Sequence, residues 1–350
     1  WSATDSARVI VRPHWLSFLL LGVYVVLIRL PFLDHPRPVH GDEVEFIAAI
    51  GFPTPYPVHH PGYPLWVGLA TVIHKLGFSP YASYQVMSVF GSGLLAIALC
   101  RLTSRFVDYR LAWWTGFALG ANPIVWFLGT TALNYVFATA LVVFILDLCM
   151  EARQTRKKQC LWYAGALLAI GSLIRLDLIA WIGLPVVFVA WGSQRRFSVA
   201  GLVGVWLGLT LNVILRDHLY APKYPHSLRL GEASGLSHTI DVILATSVFK
   251  LGLVDGLFRS IAKLSVYLGW SFGVGVLLIL ALGWRSMPVS ARPAKLLLWL
   301  WCAPMTAFIL FIHASEAGHM LPLIPAIYLL LAIQLSSRCR PRTARIIMLV

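Results

Sequence analysis

The sequence is poor in charged residues, and this scarcity excludes most soluble proteins. Only 12% of its 350 residues are charged, 59% are hydrophobic and the mean hydropathy is +0.77. A soluble domain instead carries about 25% charged and about 45–50% apolar residues. The apolar residues form blocks of roughly 17–24 residues, long enough to cross a bilayer core, and they do not alternate with polar residues as in a transmembrane β-barrel. The sequence therefore predicts an all-α, polytopic membrane protein that forms a single domain over residues 1–350.

Motifs for several kinds of soluble or metal-dependent chemistry are also absent. The sequence has no P-loop and no dinucleotide-binding fingerprint, so a soluble nucleotide donor has no evident site. No HExxH, HxH or DxD pattern accompanies His59 and His60, and adjacent histidines point apart, which favours a structural or substrate-lining role over metal binding. A requirement for a divalent metal ion stays open, although nothing in the sequence beyond the carboxylates suggests one. The five cysteines lack CxxC spacing, which fits reduced thiols rather than a disulfide framework.

The excess of basic residues predicts the topology. The formal charge of +14 comes from 28 basic and 14 acidic residues. In a soluble protein this excess would suggest a nucleic-acid partner. In membrane proteins, however, Lys and Arg collect in the cytoplasmic loops, so we predict no nucleic-acid partner. The positions of these residues instead predict about ten spans with both ends cytoplasmic. The predicted spans lie near residues 14–33, 82–100, 111–128, 131–149, 160–174, 178–193, 197–215, 262–284, 294–313 and 319–336. GxxxG spacings, which pack helices in membranes, occur at residues 116/120, 204/208 and 269/273.

Two polar loops fall on the outer side of this topology, together with most of the carboxylates. The first loop, 34–81, is predicted to hold a short helix over Asp42–Ile50 and an outer interfacial helix over 63–78. The second loop, 216–261, is predicted to end in an interfacial helix. Residues 337–350 form either a cytoplasmic tail or the start of a further span. The outer face is therefore where we expect the polar chemistry.

Three carboxylates, Asp42, Glu43 and Glu45, crowd the start of the first predicted short helix. Because like charges repel, we expect the pKa of at least one of them to be raised, which would prepare a proton acceptor. On a helix Asp42 and Glu45 share a face, whereas Glu43 points elsewhere. The alternative is a solvated acidic turn that the helix dipole favours.

Arg175 interrupts an apolar run over residues 161–191 that is too long for one span, so we predict a tight outer turn there. A charged residue at such a place is costly unless it is paired or hydrated. One interpretation is that its planar guanidinium holds a lipid phosphate. The alternative is a local pair with Asp177 or a side chain that reaches the interface.

Two further outer segments carry polar candidates. Arg216, Lys223 and Arg229 in the second loop could meet an anionic headgroup, or simply form a solvated loop. Glu316 and His319 stand at the outer entry to the last predicted span, where the alternative is a polar turn followed by a proline-bent helix.

Two segments resemble a known superfamily. Residues 42–46, Asp-Glu-Val-Glu-Phe, followed by His-Pro-Gly-Tyr-Pro-Leu at 60–65, resemble the GT-C superfamily of lipid-phosphate-sugar glycosyltransferases, and within it the transmembrane O-mannosyltransferase-like branch. Arg175 stands where bacterial relatives have Lys or Arg, and residues 318–325 resemble their late entry segment. The sequence departs from the pattern at Val44, a glycine in the family, and at Asn134-Tyr135, where relatives often carry an acid.

The resemblance implies an inverting sugar transfer from a polyprenyl or dolichyl phosphate to an acceptor hydroxyl at the outer membrane face. Asp42 would be the general base, Glu43 and Glu45 would orient it or shape the acceptor site, and Arg175 would stabilise the leaving phosphate. The resemblance also implies substrate-binding roles for a wider set: His59, His60, Tyr63, Arg216, Lys223, Arg229, Glu316 and His319. The implied partners are the lipid bilayer, the lipid-linked donor and a protein, lipid or glycan acceptor, with no certain cofactor.

Other functions stay open at this point. A transporter or lipid flippase would need a polar path through the membrane core, whereas the charges here lie at span ends and no halves repeat. A non-catalytic assembly protein would use the acidic loop as a docking patch. The absence of an Asn-x-Ser/Thr sequon favours a bacterial plasma membrane over the endoplasmic reticulum.

Overall fold

The computed structural model of the protein describes residues 15–34, 40–51, 63–155, 157, 159–178, 181–183, 186, 203–212, 214–215, 248–285, 292–312 and 317–349. This part of the chain is 87% helical and contains no strand, which confirms the predicted all-α class. The helices of the first half are α1 (Trp15–Leu27), α2 (Gly41–Gly51), α3 (Pro64–Lys75), α4 (Pro80–Ser104), α5 (Tyr109–Ala121), α6 (Pro123–Leu128), α7 (Tyr135–Thr155) and α8 (Gln159–Ile174). Those of the second half are α9 (Val203–Asn212), α10 (Val248–Leu251), α11 (Leu253–Arg285), α12 (Arg292–Phe311), α13 (Ala317–Met320), α14 (Leu323–Arg338) and α15 (Pro341–Leu349).

Several helices have the length and composition of membrane spans. Within the described ranges there are five: Trp15–Phe32, Pro80–Ser104, Tyr135–Thr155, Ala294–Phe311 and Ala317–Arg338. The chain is therefore an integral membrane protein, and the total of about ten spans stays a prediction. Two short helices, α2 and α3, are observed where short helices are predicted, and the 12 residues of α3 rise only about 18 Å. Their place at the membrane surface stays a prediction.

The centre of the fold is the pair α4 and α7, whose facing surfaces are almost wholly buried. Gly91 permits their close approach, because a β-carbon there would lie 2.9 Å from the Phe137 Cα atom. The opposite ends of the two helices are tied by charge. The wholly buried Asp147 accepts hydrogen bonds from Arg101, at 2.8 Å, and from Arg105. These two arginines, predicted to be cytoplasmic, are thus paired rather than solvated.

The predicted span 111–128 is wrong as a single helix, because it breaks into α5 and α6 at Asn122. Pro123 has no N–H to continue α5, and the Asn122 side chain instead accepts from the amides of Ile124 and Val125 at 3.1 and 3.3 Å. The buried Arg29 of the first span donates to the Gly120 carbonyl at 2.6 Å, so it satisfies an oxygen that the break leaves without a helical partner.

The boundary predicted between an interfacial helix ending at 261 and a span beginning at 262 is also wrong. The first part of α11 runs from Leu253 across residues 261 and 262 without interruption, and the helix breaks only at Gly273, where φ is 66°. Asp255, Arg259 and Lys263 are four residues apart, so their charges share one face and do not interrupt the helix.

The glycines of the predicted GxxxG spacings differ in how closely other helices approach them. A β-carbon on Gly116 would lie 2.9 Å from the Ala96 carbonyl, and one on Gly208 would lie 3.1 Å from the Ala169 Cα atom, so both glycines let helices approach closely. No described atom lies within 4 Å of a β-carbon built on Gly269. The prediction that residues 269/273 pack helices therefore has no support among the described residues and stays a prediction.

Candidate active site

The first part of the site is the start of α2, which is closed by reciprocal hydrogen bonds. The Nδ1 atom of His40 accepts from the Asp42 amide at 3.1 Å, and the Glu43 carboxylate accepts from the His40 amide at 3.1 Å. This is a capping box in which histidine replaces the usual Ser or Thr. It holds Asp42 in the first turn, where the helix dipole favours a negative charge. The Asp42 side chain is 29% exposed and lies 3.5 Å from His40 Nδ1.

Glu43 faces into the protein. Its side chain is wholly buried, and its Oε1 atom accepts from the Ala132 amide at 2.7 Å and the Tyr81 hydroxyl at 3.4 Å. It therefore fastens α2 to the segment that precedes α7. Glu45 lies one turn after Asp42 and is partly exposed. The three carboxylates thus have different surroundings, although they are neighbours in sequence.

The second part of the site is Arg175, in the turn that follows α8. Its side chain is 6% exposed. Nε lies 2.8 and 3.0 Å from the two carboxylate oxygens of Asp177, and Nη1 donates to the Asn134 side-chain oxygen at 2.9 Å. The guanidinium carbon lies 3.9 Å from the centre of the Tyr135 ring and 5.3 Å from that of Trp181, within cation–π range. The local pair with Asp177 is therefore formed.

These contacts leave Arg175 charged, with one terminal nitrogen available. Burial alone lowers the pKa of the guanidinium, but the adjacent charge of Asp177 raises it above its ordinary value. Nη2 makes no hydrogen bond to any residue in the described ranges. An anion that approaches this nitrogen would meet a fixed cation rather than a mobile side chain.

His319 joins the same cluster from the last spanning segment. It is buried, its Nε2 atom lies 3.4 Å from the Tyr135 hydroxyl, and its Nδ1 atom lies 3.9 Å from the Asp177 carboxylate. The preceding residue, Gly318, packs flat on the Tyr135 ring, and any side chain there would overlap it. Arg175 and His319, predicted independently from sequence, are thus brought together.

Tyr63 lies between the two parts. Its side chain is buried, its ring centre is 5.4 Å from that of Phe46 on α2, and it is close enough to Arg175 to influence the pKa of the guanidinium. Its backbone is left-handed, with φ at 48°, which is uncommon for a residue with a side chain.

Residues 132–134 connect the two parts directly. Ala132 donates to Glu43, two residues before Asn134 accepts from Arg175. Asn134 also donates to the Ile174 carbonyl at 2.9 Å, which fixes the end of α8. The base candidate and the buried cation are therefore tethered at the same end of the helices, the end at which α7 begins.

Sequence reasoning missed several members of this cluster. Asn134 and Tyr135 stood out only as a departure from the family pattern, yet one supplies a hydrogen-bond acceptor to Arg175 and the other its aromatic platform. His40 could have been recognised as a cap, because Glu43 follows it by three residues. Six predicted substrate-binding residues lie outside the described residues: His59, His60, Arg216, Lys223, Arg229 and Glu316. Among the described residues, no group of three His, Cys, Asp or Glu side chains has the arrangement of a metal site.

No protein-family model matches the sequence, and no curated protein is similar to it. Several solved structures are similar. ArnT from Cupriavidus metallidurans in the apo state is 21% identical, with a TM-score of 0.64 over 94% of this chain and 61% of that one. The same protein bound to undecaprenyl phosphate is 20% identical, with a TM-score of 0.62 over 93% and 60%. The apo oligosaccharyltransferase of Archaeoglobus fulgidus is 12% identical, with a TM-score of 0.53 over 93% and 50%.

These likenesses extend along almost the whole of this chain, which spans about 60% of the length of the ArnT structures. At identities this low they show the fold and not the activity. The chain has the all-α membrane fold that it shares with ArnT and with the archaeal oligosaccharyltransferase.

Proposed function

We propose that the chain is a GT-C-type glycosyltransferase that moves a sugar from a polyprenyl-phosphate donor to an acceptor hydroxyl with inversion. The fold supports this, since it is shared with ArnT, one structure of which holds undecaprenyl phosphate. We further propose that the reaction takes place at the outer face of a bacterial plasma membrane. A mannosyltransferase-like specificity rests on the sequence resemblance alone.

The observation that carries the proposal is the tether between a carboxylate and a cation. Asp42 is partly exposed on the first turn of α2, and Glu43 binds that turn to residues 132–134. Asn134 in the same segment binds Arg175, whose Nη2 atom has no hydrogen-bond partner among the described residues. A proton acceptor and a phosphate-binding cation are the two groups that such a transfer requires.

The chemistry follows from these two groups. Asp42 takes the proton of the acceptor hydroxyl as its oxygen attacks the anomeric carbon from the side opposite the phosphate. The bond between the anomeric carbon and the phosphate oxygen breaks, and its electron pair leaves with the lipid phosphate. Arg175 stabilises the negative charge that develops there. Attack from the opposite side inverts the anomeric configuration.

The remaining predicted residues have supporting roles in this proposal. Tyr63 and His319 lie beside Arg175 and would line the sugar or phosphate. Glu45, on the same face of α2 as Asp42, would shape the acceptor site. His59, His60, Arg216, Lys223, Arg229 and Glu316 are proposed substrate ligands on the strength of the sequence.

The test is the Asp42→Asn variant, purified and assayed with polyprenyl-phosphate sugars. Removing a general base typically lowers the rate by about 10²–10⁴-fold. The matched control is Asp34→Asn, because Asp34 accepts a hydrogen bond from Ser79 in the same loop and has no role in the proposal. The Asp34→Asn variant should retain a transfer rate within about threefold of that of the wild type. A loss below about threefold in Asp42→Asn would reject Asp42 as the base.

A further inference from the structure

We propose that Asp177 is a built-in counter-charge that weakens the hold of Arg175 on the lipid phosphate product and so promotes its release. This inference rests on the proposed function, because it assumes that Arg175 meets the phosphate. It goes beyond that function by assigning a role to a residue that neither binds the sugar nor transfers a proton.

The geometry fixes the Asp177 carboxylate beside the cation. Both carboxylate oxygens lie within 3.0 Å of Arg175 Nε, which shares one edge of the planar guanidinium with Nη2. The backbone holds this arrangement, since the Leu178 amide donates to the Arg175 carbonyl at 3.3 Å and the Trp181 amide to the Asp177 carbonyl at 3.1 Å. The carboxylate therefore stays near the cation when Nη2 binds a ligand.

In the described part of the chain, the other neighbours of the pair leave its net charge close to zero. Asn134 and Tyr135 contact the guanidinium without bringing a full charge, and His319 stands 3.9 Å from Asp177. Arg175 can thus offer a directional hydrogen bond to a phosphate, while Asp177 offsets much of its long-range attraction.

This matters because the reaction changes the charge of the phosphate. The donor is a phosphodiester with one negative charge, whereas the product is a monoester with about 1.5–2 negative charges at pH 7. An isolated arginine would hold the more negative product more tightly than the donor, and the product would block the site. A neutral Arg175–Asp177 pair discriminates less between the two.

The effect can be measured as a ratio of affinities. Asp177→Asn keeps an oxygen that can accept from Arg175 Nε but removes the negative charge. The product carries about 0.5–1 more negative charge than the donor, and at an effective dielectric constant near 20 half a charge about 6 Å from Asp177 changes affinity by about tenfold. The inhibition constant of the product should therefore fall about tenfold relative to the KM of the donor.

The experiment uses the full chain in nanodiscs, with undecaprenyl phosphate as the product probe and a polyprenyl-phosphate sugar as the donor. Asp177→Asn should lower the ratio of product inhibition constant to donor KM by about tenfold, with a normal first turnover followed by slow later ones. Asp177→Glu, which restores the charge, should return the ratio towards that of the wild type. An unchanged ratio in a folded Asp177→Asn variant would overturn the proposal.

Two further variants separate this proposal from the function on which it rests. If Arg175→Gln alters neither donor KM nor product inhibition, the phosphate does not bind there and the proposed function loses its cation. If Arg175→Gln weakens both while Asp177→Asn leaves their ratio unchanged, only the counter-charge is rejected. Asp177→Ser is the substitute should Asp177→Asn not fold. Misfolding of both would assign Asp177 to stability alone and overturn the proposal.

Discussion

Glu43→Gln tests whether a buried carboxylate assembles the site. The substitution keeps the shape of the side chain but replaces one of its two acceptor oxygens with an NH₂ donor. In the wild type, Oε1 faces the Ala132 amide and the Tyr81 hydroxyl, and Oε2 faces the His40 amide. Whichever way the glutamine amide turns, its NH₂ group meets a backbone N–H donor.

The magnitude follows from this mismatch. A hydrogen bond to a buried charged group contributes about 1.5–3 kcal/mol, and a buried donor left without an acceptor costs about 1–3 kcal/mol. Together these predict that the free energy of unfolding falls by about 2.5–6 kcal/mol, with a drop of about 3–8 °C in the midpoint of thermal unfolding. Because the start of α2 loses its tie to residue 132, Asp42 should shift and transfer should fall about 10–100-fold.

The assay compares thermal unfolding in detergent with the rate of sugar transfer for each variant. Glu45→Gln is the matched control for stability, because Glu45 is partly exposed on the same helix, and its unfolding midpoint should change little. Tyr81→Phe removes only the 3.4 Å hydrogen bond and should cost about 1 kcal/mol at most. A Glu43→Gln variant with the stability and transfer rate of the wild type would refute the idea that this carboxylate ties the two parts together.

Three other predictions concern the supports of the site. Asn134→Ala removes the acceptor 2.9 Å from Arg175 Nη1, so donor KM should rise about fivefold or more. Asn134→Asp keeps an acceptor but adds a negative charge beside Arg175, so it should also raise donor KM; an unchanged KM in the alanine variant would contradict the positioning role. Gly91→Val should separate α4 from α7 and abolish the monodisperse peak in size-exclusion chromatography. The control Gly68→Val, at a position with no described atom near its β-carbon, should preserve this peak. A monodisperse Gly91→Val variant would contradict the close approach of the two helices. Asp147→Asn leaves Arg101 and Arg105 without their shared buried partner, so unfolding should become easier by about 3–5 kcal/mol with donor KM unchanged; a loss below about 1 kcal/mol would contradict a structural role for this cluster.

The elements with strong local signals were predictable from the sequence. The apolar blocks gave the all-α membrane class, and the short helix predicted over Asp42–Ile50 is observed as Gly41–Gly51. The boundary errors arose where two signals competed. At Asn122-Pro123 the apolar run outweighs the break. Over residues 239–261 the charges predict an interfacial helix separate from the span at 262, whereas the charged residues of α11 form one polar face of a helix that continues.

The candidate site was predictable in its residue types but not in its contacts. Sequence alone treats Asp42, Glu43 and Glu45 alike, and only the contact with Ala132, 89 residues away, distinguishes the buried Glu43. The contact of Arg175 with Asp177 was predictable, because the two residues are only two positions apart. Its contact with Asn134, 41 residues away, was not predictable, because no local pattern encodes a pairing between distant segments.

The most direct test of the central claim is an experimental structure of the full chain with undecaprenyl phosphate bound. The quantities to measure are the position of the phosphate and the separation of the Asp42 carboxylate from the Arg175 guanidinium. One sugar ring and two contacts of about 3 Å require a separation of roughly 7–13 Å. We predict that separation, with the phosphate hydrogen-bonded to Arg175. A phosphate bound elsewhere, or a separation of more than about 20 Å without a shared cavity, would contradict it.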